Sequence, residues 1–335
     1  MATAENPKRV VVVGGTGNIS GALVDALAAA GHDVTVFVRG QRALDLPEGV
    51  GVITGDRTDR EAFERTMREG DFEVAFDLIC WGPEDAESDV RAFAGVDHFF
   101  QTSTVCTIGG ELAELPANEQ TPLRPVGAYG EEKVRADEVF ATAHAERGFP
   151  VTVLKPNHTW GPKMPVVRQL GLDPHWIDRL RAGKPLLVAD EGSRRWQLCH
   201  VEDAVAAYVG LIGREEAIGE TYIVTAPEPL TWREYHQQIA DALGAELNLL
   251  SAPADELIRL WPEATEILAE QSRWDQWFDT AKLRAALPEF QPRLTLADRI
   301  AENIAWMEAH PHPDLPAREE VPDREDEVIR ELGLD

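Results

Sequence analysis

Short apolar runs rich in β-branched residues recur along the chain and alternate with segments of helical length. The runs lie at 9–14 (RVVVVG), 34–38, 51–55, 72–79, 97–103, 151–156 and 221–225. Helical spacing of apolar residues is clearest over 18–31, 58–69, 85–94, 128–147 and 199–213. Strands that alternate with helices need crossover connections, which favour a parallel sheet. The sequence therefore predicts an α/β fold, a Rossmann-type doubly wound parallel sheet.

The regular alternation stops after residue 162, where Pro, Trp and polar residues interrupt it. We predict a Rossmann domain over 1–162, which the chain rejoins at about 199–226. A smaller C-terminal substrate lobe is predicted over 163–198 and 227–310. The last stretch, 311–335, is rich in Pro, Asp and Glu, and we expect a loose or surface-draped tail there.

Charge and composition exclude several classes of function. The 335 residues carry a formal net charge of −27, and such a surface repels nucleic-acid backbones and anionic lipid headgroups. No apolar run is long enough to span a membrane, and no signal-peptide pattern precedes the first strand, so we expect a cytoplasmic protein. The three cysteines lack paired spacing, which predicts neither a disulfide framework nor a metal site.

The turn after the first strand, GGTGNIS, is typical of a dinucleotide site when a helix follows it. Gly14 permits the tight turn, and Gly17 lets the backbone approach a pyrophosphate at the helix N-terminus. Ser20 stands where a third glycine is usual and is small enough to preserve close packing. We therefore assign Gly14, Thr16, Gly17, Asn18 and Ile19 to the cofactor.

The end of the second strand, VTVFVRG, bears on the choice between NAD and NADP. An acidic residue there would bind the ribose hydroxyl of NAD, whereas an arginine accommodates the 2′-phosphate of NADP. This strand ends without an acid, and Arg39 is its only charge. The sequence favours NADP, although NAD stays open.

A tyrosine and a lysine stand four residues apart in the segment GAYGEEKVRADEVF, which reads as a helix. Positions i and i+4 share a helix face, so Lys133 can lie beside Tyr129. A nearby ammonium lowers the pKa of a phenol, and such a tyrosine can move a proton to or from a carbinol.

Trp81, after the fourth strand, is expected to pack rather than to line a cleft.

Taken together, these motifs resemble the extended short-chain dehydrogenase/reductases, the NAD(P)-dependent epimerase/dehydratase group. The resemblance covers about residues 8–310. Its motifs are GGTGNIS, GDRTD at 55–59, TSTVCTIG at 102–109, YGEEK at 129–133, LKPNHTWGP at 154–162, HVEDAVAA at 200–207 and FDTAKLRAALPEF at 278–290. They are specific for the superfamily and much less specific for a reaction.

The resemblance implies a role for particular residues. Tyr129 matches the catalytic acid/base, Lys133 its partner that also contacts the nicotinamide ribose, and Thr104 the catalytic Ser/Thr, twenty-five residues before the tyrosine. Asp56 matches the residue that meets the adenine amino group, and Pro156 the position near the nicotinamide. The candidate substrate residues are His158, Arg194 and Gln197, with the arginine as a possible clamp for a diphosphate.

Departures from the family pattern reduce the number of reactions that the sequence favours. Sugar-nucleotide 4,6-dehydratases carry an acidic pair after the catalytic threonine, where this chain has Val105 and Cys106, so dehydration is disfavoured. The resemblance favours an epimerase acting on a sugar, with a nucleotide sugar as the leading substrate. The alternatives are an NADPH-dependent ketone or aldehyde reductase, an RNA-binding protein and a cofactor-sensing regulator. The family also implies a homodimer.

Overall fold

The computed structural model describes residues 6–310 and 318–334. Its strands are β1 (Arg9–Val13), β2 (Asp33–Val38), β3 (Gly51–Thr54), β4 (Val74–Asp77), β5 (His98–Thr102), β6 (Val151–Pro156), β7 (His158–Trp160), β8 (Leu186–Ala189), β9 (Arg195–Trp196), β10 (Leu198–His200), β11 (Thr221–Val224), β12 (Leu230–Thr231) and β13 (Leu249–Ala252). Its helices are α1 (Asn18–Ala29), α2 (Arg60–Glu69), α3 (Pro83–Ala92), α4 (Gly127–Arg147), α5 (Trp176–Arg181), α6 (Val201–Gly210), α7 (Trp232–Leu243), α8 (Ala254–Leu260), α9 (Ala281–Ala286), α10 (Leu296–Ala309) and α11 (Glu325–Glu331).

The main sheet has seven strands in the order β11-β6-β5-β4-β1-β2-β3, and every pairing is parallel. These are the seven predicted strands, so the predicted doubly wound sheet is confirmed. The chain first builds outward from β1 to β3 and then returns to add β4 on the other side of β1. A crevice at the carboxyl ends of the strands is expected where the order reverses.

Alternation along the strands builds a core on each face of the sheet, because successive side chains of a strand point to opposite faces. Val10 and Val12 of β1 pack with α1 and α6, whereas Val11 and Val13 pack into the core formed with α2, α3 and α4. All four valines are fully buried. Helices therefore cover both faces, as strands with continuous apolar runs require.

The smaller lobe is built on three two-stranded sheets, β7 with β10, β9 with β12 and β8 with β13. Its core contains four buried tryptophans, Trp160, Trp176, Trp196 and Trp232. The prediction assigned all of 227–310 to this lobe. Instead, Leu283, Leu287 and Phe290 of the α9 region pack into the core of the main sheet, so this part of the boundary is wrong.

Of the two alternatives predicted for the tail, loose or surface-draped, the loose one is wrong for the part that is described. Residues 325–331 form α11, in which Glu325, Val328 and Ile329 are buried. The two apolar side chains pack with Leu187 and Leu257 of the lobe. Residues 311–317 and 335 lie outside the described part of the chain. Within that part, no helix combines the length and apolarity needed to cross a bilayer.

Candidate active site

A cavity of about 890 Å³ lies at the carboxyl ends of the strands, between the main sheet and the lobe. Most of the residues selected from the sequence line it. They are Gly14, Thr16, Gly17, Asn18, Ile19, Arg39, Asp56, Thr104, Tyr129, Lys133, Pro156 and His158. The fold thus brings together residues from six separate motifs, because parallel strands deliver their loops to one edge of the sheet.

The glycine turn has the shape that a dinucleotide needs. Gly14 and Gly15 have φ of +109° and +140°, which strains any residue with a side chain. A Cβ on Gly15 would lie 3.0 Å from Val36 Cγ1. Gly17 caps α1, and its N–H donates to Ser20 Oγ at 2.9 Å, so the serine contributes a capping contact as well as small size. Asn18 Oδ1 is buried without a partner among the described residues, and these features together fit a bound dinucleotide.

The adenosine end of the cavity carries two arginines that follow β2. Arg39 and Arg42 both line the cavity, although only Arg39 was selected from the sequence. Asp56 lies opposite, and its carboxylate accepts hydrogen bonds from the N–H and hydroxyl of Thr58 at 2.9 and 2.8 Å. These two hydrogen bonds lower the pKa of Asp56, and the nearby Arg39 lowers it further. A guanidinium and an ionised carboxylate are therefore held at the same end of the cavity.

Thr104, Tyr129 and Lys133 converge at the centre of the cavity. Thr104 is buried after β5, and its Oγ1 accepts the Cys106 N–H at 3.2 Å, which leaves the hydroxyl proton free to donate. The Thr104 side chain is near enough to the Tyr129 hydroxyl to lower the pKa of the phenol. The Lys133 ammonium donates to the carbonyls of Cys80 and Thr102, at 2.7 and 2.9 Å. The lysine is thus held by the ends of two sheet strands.

The expected lowering of the Tyr129 pKa does not occur. Desolvation raises it to about 12, although the residue is 44% exposed, and the nearby Thr104 side chain only partly opposes this. The Lys133 nitrogen is directed to backbone carbonyls and lies 5.8 Å from the centre of the Tyr129 ring. Burial also lowers the pKa of Lys133. Tyr129 is consequently a protonated phenol at neutral pH, suited to donating a proton.

Among the described residues, the half of the cavity on the side of the lobe is lined by no acid, lysine or arginine. The lining residues after Lys133 are Pro156, Asn157, His158, Thr159, Met164, Val167, Leu172, Trp196, Trp232, Ile267, Gln271, Ser272 and Gln276. His158 lies 4.8 Å from Trp196 between ring centres, and burial lowers its pKa to about 4, so it is neutral. Trp196 stacks on Trp232 at 3.9 Å.

Two of the predicted substrate residues lie outside the cavity lining. The Gln197 side chain is buried, donates to the carbonyls of Ala226, Pro227 and Phe278 at 3.0 to 3.1 Å, and accepts the Phe278 N–H at 2.7 Å. Both ends of the amide are therefore used to tie segments of the chain together. Arg194 is half exposed and lies 3.9 Å from the Asp275 carboxylate. Neither prediction of a substrate contact is supported.

Sequence reasoning missed several lining residues. Trp81 lines the cavity and is 58% exposed, contrary to the expectation that it packs inside. Its ring centre lies 5.8 Å from that of Tyr129, and the Lys133 nitrogen lies 5.4 Å from it. Trp196, Gln271 and Gln276 come from irregular segments of the lobe, where no periodicity marks them. The sequence indicated one of these residues indirectly, because Trp196 lies between the selected residues Arg194 and Gln197.

Comparisons with known proteins identify the family to which the chain belongs. Residues 88–225 match the family described as "NAD dependent epimerase/dehydratase family", and residues 6–114 match the NmrA-like family. The chain is 34% identical over 303 residues to a 2′-dehydrokanamycin reductase of Streptomyces kanamyceticus, covering 90% of this chain and 85% of that protein. The chain belongs to the NAD-dependent epimerase/dehydratase family. It is an enzyme, an oxidoreductase that uses a nicotinamide dinucleotide.

Solved structures of other members share the fold. An epimerase, Mth375 of Methanothermobacter thermautotrophicus, superposes with a TM-score of 0.71 at 19% identity, covering 91% of this chain and 93% of that one. A UDP-glucose 4-epimerase of Thermotoga maritima gives 0.70 at 17% identity, covering 90% and 99%. At these identities the likeness extends to the architecture of the family and no further.

Proposed function

We propose that this enzyme is an NADPH-dependent reductase that converts a ketone on a sugar-like small molecule to the alcohol. The observation that carries the proposal is the uncharged lobe half of the cavity, where no lysine or arginine is among the described lining residues. A nucleotide sugar brings a diphosphate, which requires cationic partners. The sequence-based preference for a nucleotide-sugar epimerase therefore gives way to its alternative, the reductase.

The choice of NADPH rests on the adenosine end of the cavity. Arg39 and Arg42 lie there, and the end of β2 offers no carboxylate for a ribose 2′-hydroxyl. Gly14, Gly17 and the N-terminus of α1 would hold the pyrophosphate, and Lys133 the nicotinamide ribose. When bound, NADPH supplies the hydride for reduction of the carbonyl carbon. Because each reduction oxidises one NADPH, the enzyme would release NADP⁺ and bind a new NADPH at every turnover.

The chain's own groups supply the proton and the polarisation. Tyr129 is protonated at neutral pH because burial raises its pKa to about 12, so its hydroxyl donates a proton to the carbonyl oxygen. Thr104 donates a hydrogen bond to the same oxygen, while its own oxygen is fixed by the Cys106 N–H. Lys133 is held by two carbonyls, so its ammonium would meet the nicotinamide ribose and does not bond the Tyr129 hydroxyl.

The named relative supports this direction, since it is described as a reductase and not as an epimerase. The test is to mix the purified enzyme with NADPH and 2′-dehydrokanamycin, then with a panel of simple keto sugars, and to follow NADPH absorbance. Stoichiometric oxidation of NADPH with formation of the alcohol is expected. Retention of tightly bound NAD, with inversion of a sugar carbon and no net oxidation of NADPH, would restore the epimerase.

A further inference from the structure

A single π-helical turn borders the uncharged half of the cavity. It spans Leu268–Ser272, and its residues Gln271 and Ser272 line the cavity together with the preceding Ile267. Such turns are rare and occur mainly at functional sites, because the extra residue redirects the neighbouring side chains. Glu270 lies in the middle of this turn and is exposed.

The Glu270 carboxylate lies beside the catalytic helix. A Cβ placed on Gly127, the first residue of α4, would be 3.3 Å from Oε1 and 3.5 Å from Oε2 of Glu270. Gly127 precedes Tyr129 by two residues. The charge of Glu270 also acts on Cys106, a lining residue, where it adds to the effect of burial in raising the thiol pKa. Glu270 is not itself among the described lining residues, so its carboxylate lies at the rim of the cavity, beside the start of α4.

Glu270 has no partner of its own within residues 6–310 and 318–334. No hydrogen bond or ion pair engages its carboxylate, whereas acids elsewhere in the lobe, such as Asp255 and Glu263, pair with arginines. The described lining of the adjoining half of the cavity holds no carboxylate, and its one titratable group after Lys133 is the neutral His158. A cationic group entering there would meet Glu270 without competition from a protein cation.

The wall of the same half of the cavity suits a hydroxylated ring. Trp196 and Trp232 are 7% and 1% exposed and line the cavity, yet neither indole N–H has an acceptor among the described residues. Buried donors without acceptors are unfavourable, and a ligand with hydroxyl oxygens would satisfy such a donor. An indole face also packs well against the apolar face of a ring and attracts nearby cations.

We propose that this half of the cavity binds an amine-bearing ring compound, with an ammonium group on Glu270 and the ring against Trp196. The inference rests on the proposed reduction, since the ketone must reach Tyr129, and it names the chemical class of the substrate. Glu270 is a specificity residue and takes no part in proton transfer. The rival explanation is structural: Glu270 merely balances the dipole at the N-terminus of α4, whose first turn holds no acid.

Binding measurements separate these explanations without requiring turnover. The probes are kanamycin, which carries several amino groups, and its N-acetylated derivative, in which amides replace the charges. Each is titrated into the enzyme saturated with NADP⁺, and the heat of binding is followed. We expect kanamycin to bind about tenfold or more tightly than the acetylated probe, as one charge-assisted contact supports. The variant Glu270→Gln should remove most of that ratio and leave the acetylated probe unchanged.

Glu246→Gln is the matched control, because it removes the same charge from an exposed residue of the lobe in the segment between α7 and β13. It should keep the wild-type ratio. The proposal is overturned if kanamycin binds no better than the acetylated probe, or if Glu270→Gln weakens both probes equally along with the melting temperature. An enzyme that shows the Glu270-dependent ratio but never oxidises NADPH would refute the proposed reduction alone.

Discussion

Glu325, the first residue of α11, forms a bidentate salt bridge with Arg168, with both N–O distances at 2.7 Å. Neither residue is exposed, and they are 157 positions apart in the chain. The same carboxylate lies 3.2 Å from Arg179 Nε and accepts the Leu187 N–H. Arg168 directly follows Val167, which lines the cavity. The salt bridge therefore connects α11 to the segment that lines the active site.

Removing this carboxylate should destabilise the protein strongly. Glu325→Ala leaves two buried guanidinium groups without their shared partner, and breaking a buried pair in this way costs about 3–5 kcal/mol of unfolding free energy. Urea denaturation measures the loss. Glu327→Gln on the same helix is the control, since its exposed pair with Arg324 is expected to contribute about 1 kcal/mol or less. Equal stability of Glu325→Ala and wild type would show that α11 is not anchored.

The packing of α11 could not be predicted from the sequence of the tail. Its Pro-rich, acidic composition favours disorder, and only the distant Arg168 and Arg179 reveal that Glu325 has partners in the fold. The sheet is the opposite case. Each of its strands is marked by a short local run that contains apolar residues, and parallel topology follows from the alternation with helices. Local patterns therefore predict the sheet and its carboxyl edge.

The residues of the candidate site also fall into those that the sequence could locate and those that it could not. Tyr129, Lys133 and the glycine turn belong to motifs with fixed spacing, so the sequence locates them. Arg194 and Gln197 were chosen for their chemistry in an irregular segment, and a shift of one residue separates Gln197, which is buried, from Trp196, which lines the cavity. The homodimer and the cytoplasmic location expected from the sequence stay predictions.

Tyr129→Phe should abolish most of the reduction. The change removes the proton donor and is expected to lower kcat by about 10²–10⁴-fold, the usual contribution of general acid catalysis. Affinity for the dinucleotide, followed by fluorescence titration, should stay the same. Tyr222→Phe removes the same hydroxyl from a residue outside the cavity lining and should keep kcat. If the two variants behave alike, Tyr129 is not the acid.

Arg39→Ala should discriminate between the two dinucleotides. Loss of one charged contact to the 2′-phosphate is expected to raise KM for NADPH by about 10–100-fold. The KM for NADH should barely change, because NADH lacks that phosphate. Steady-state rates with each cofactor measure the ratio, and Arg65→Ala, at an exposed position of α2, should leave it unchanged. An equal rise for both cofactors would remove Arg39 from the phosphate site.

Buried histidines should make the fold sensitive to mild acid. Burial lowers the pKa of His98 and His158 to about 4 and that of His236 to about 3. Each is neutral in the folded protein, whereas in the unfolded chain each takes up a proton below about pH 6.5. The stabilisation is therefore complete above that pH and is lost as the pH falls toward 4, at up to about 1.4 kcal/mol per pH unit for each histidine.

His98→Gln isolates one of these contributions. His98 is buried in β5, where its Nε2 lies 2.7 Å from Thr152 Oγ1, so a glutamine amide preserves a polar group without a titrating one. Between about pH 7.5 and pH 5, the variant should lose about 2 kcal/mol less unfolding free energy than wild type. Urea denaturation at the two pH values gives both losses, and His310→Gln, at an exposed position after α10, should match wild type. Identical losses in His98→Gln and wild type would mean that His98 accepts its proton equally well in the folded protein.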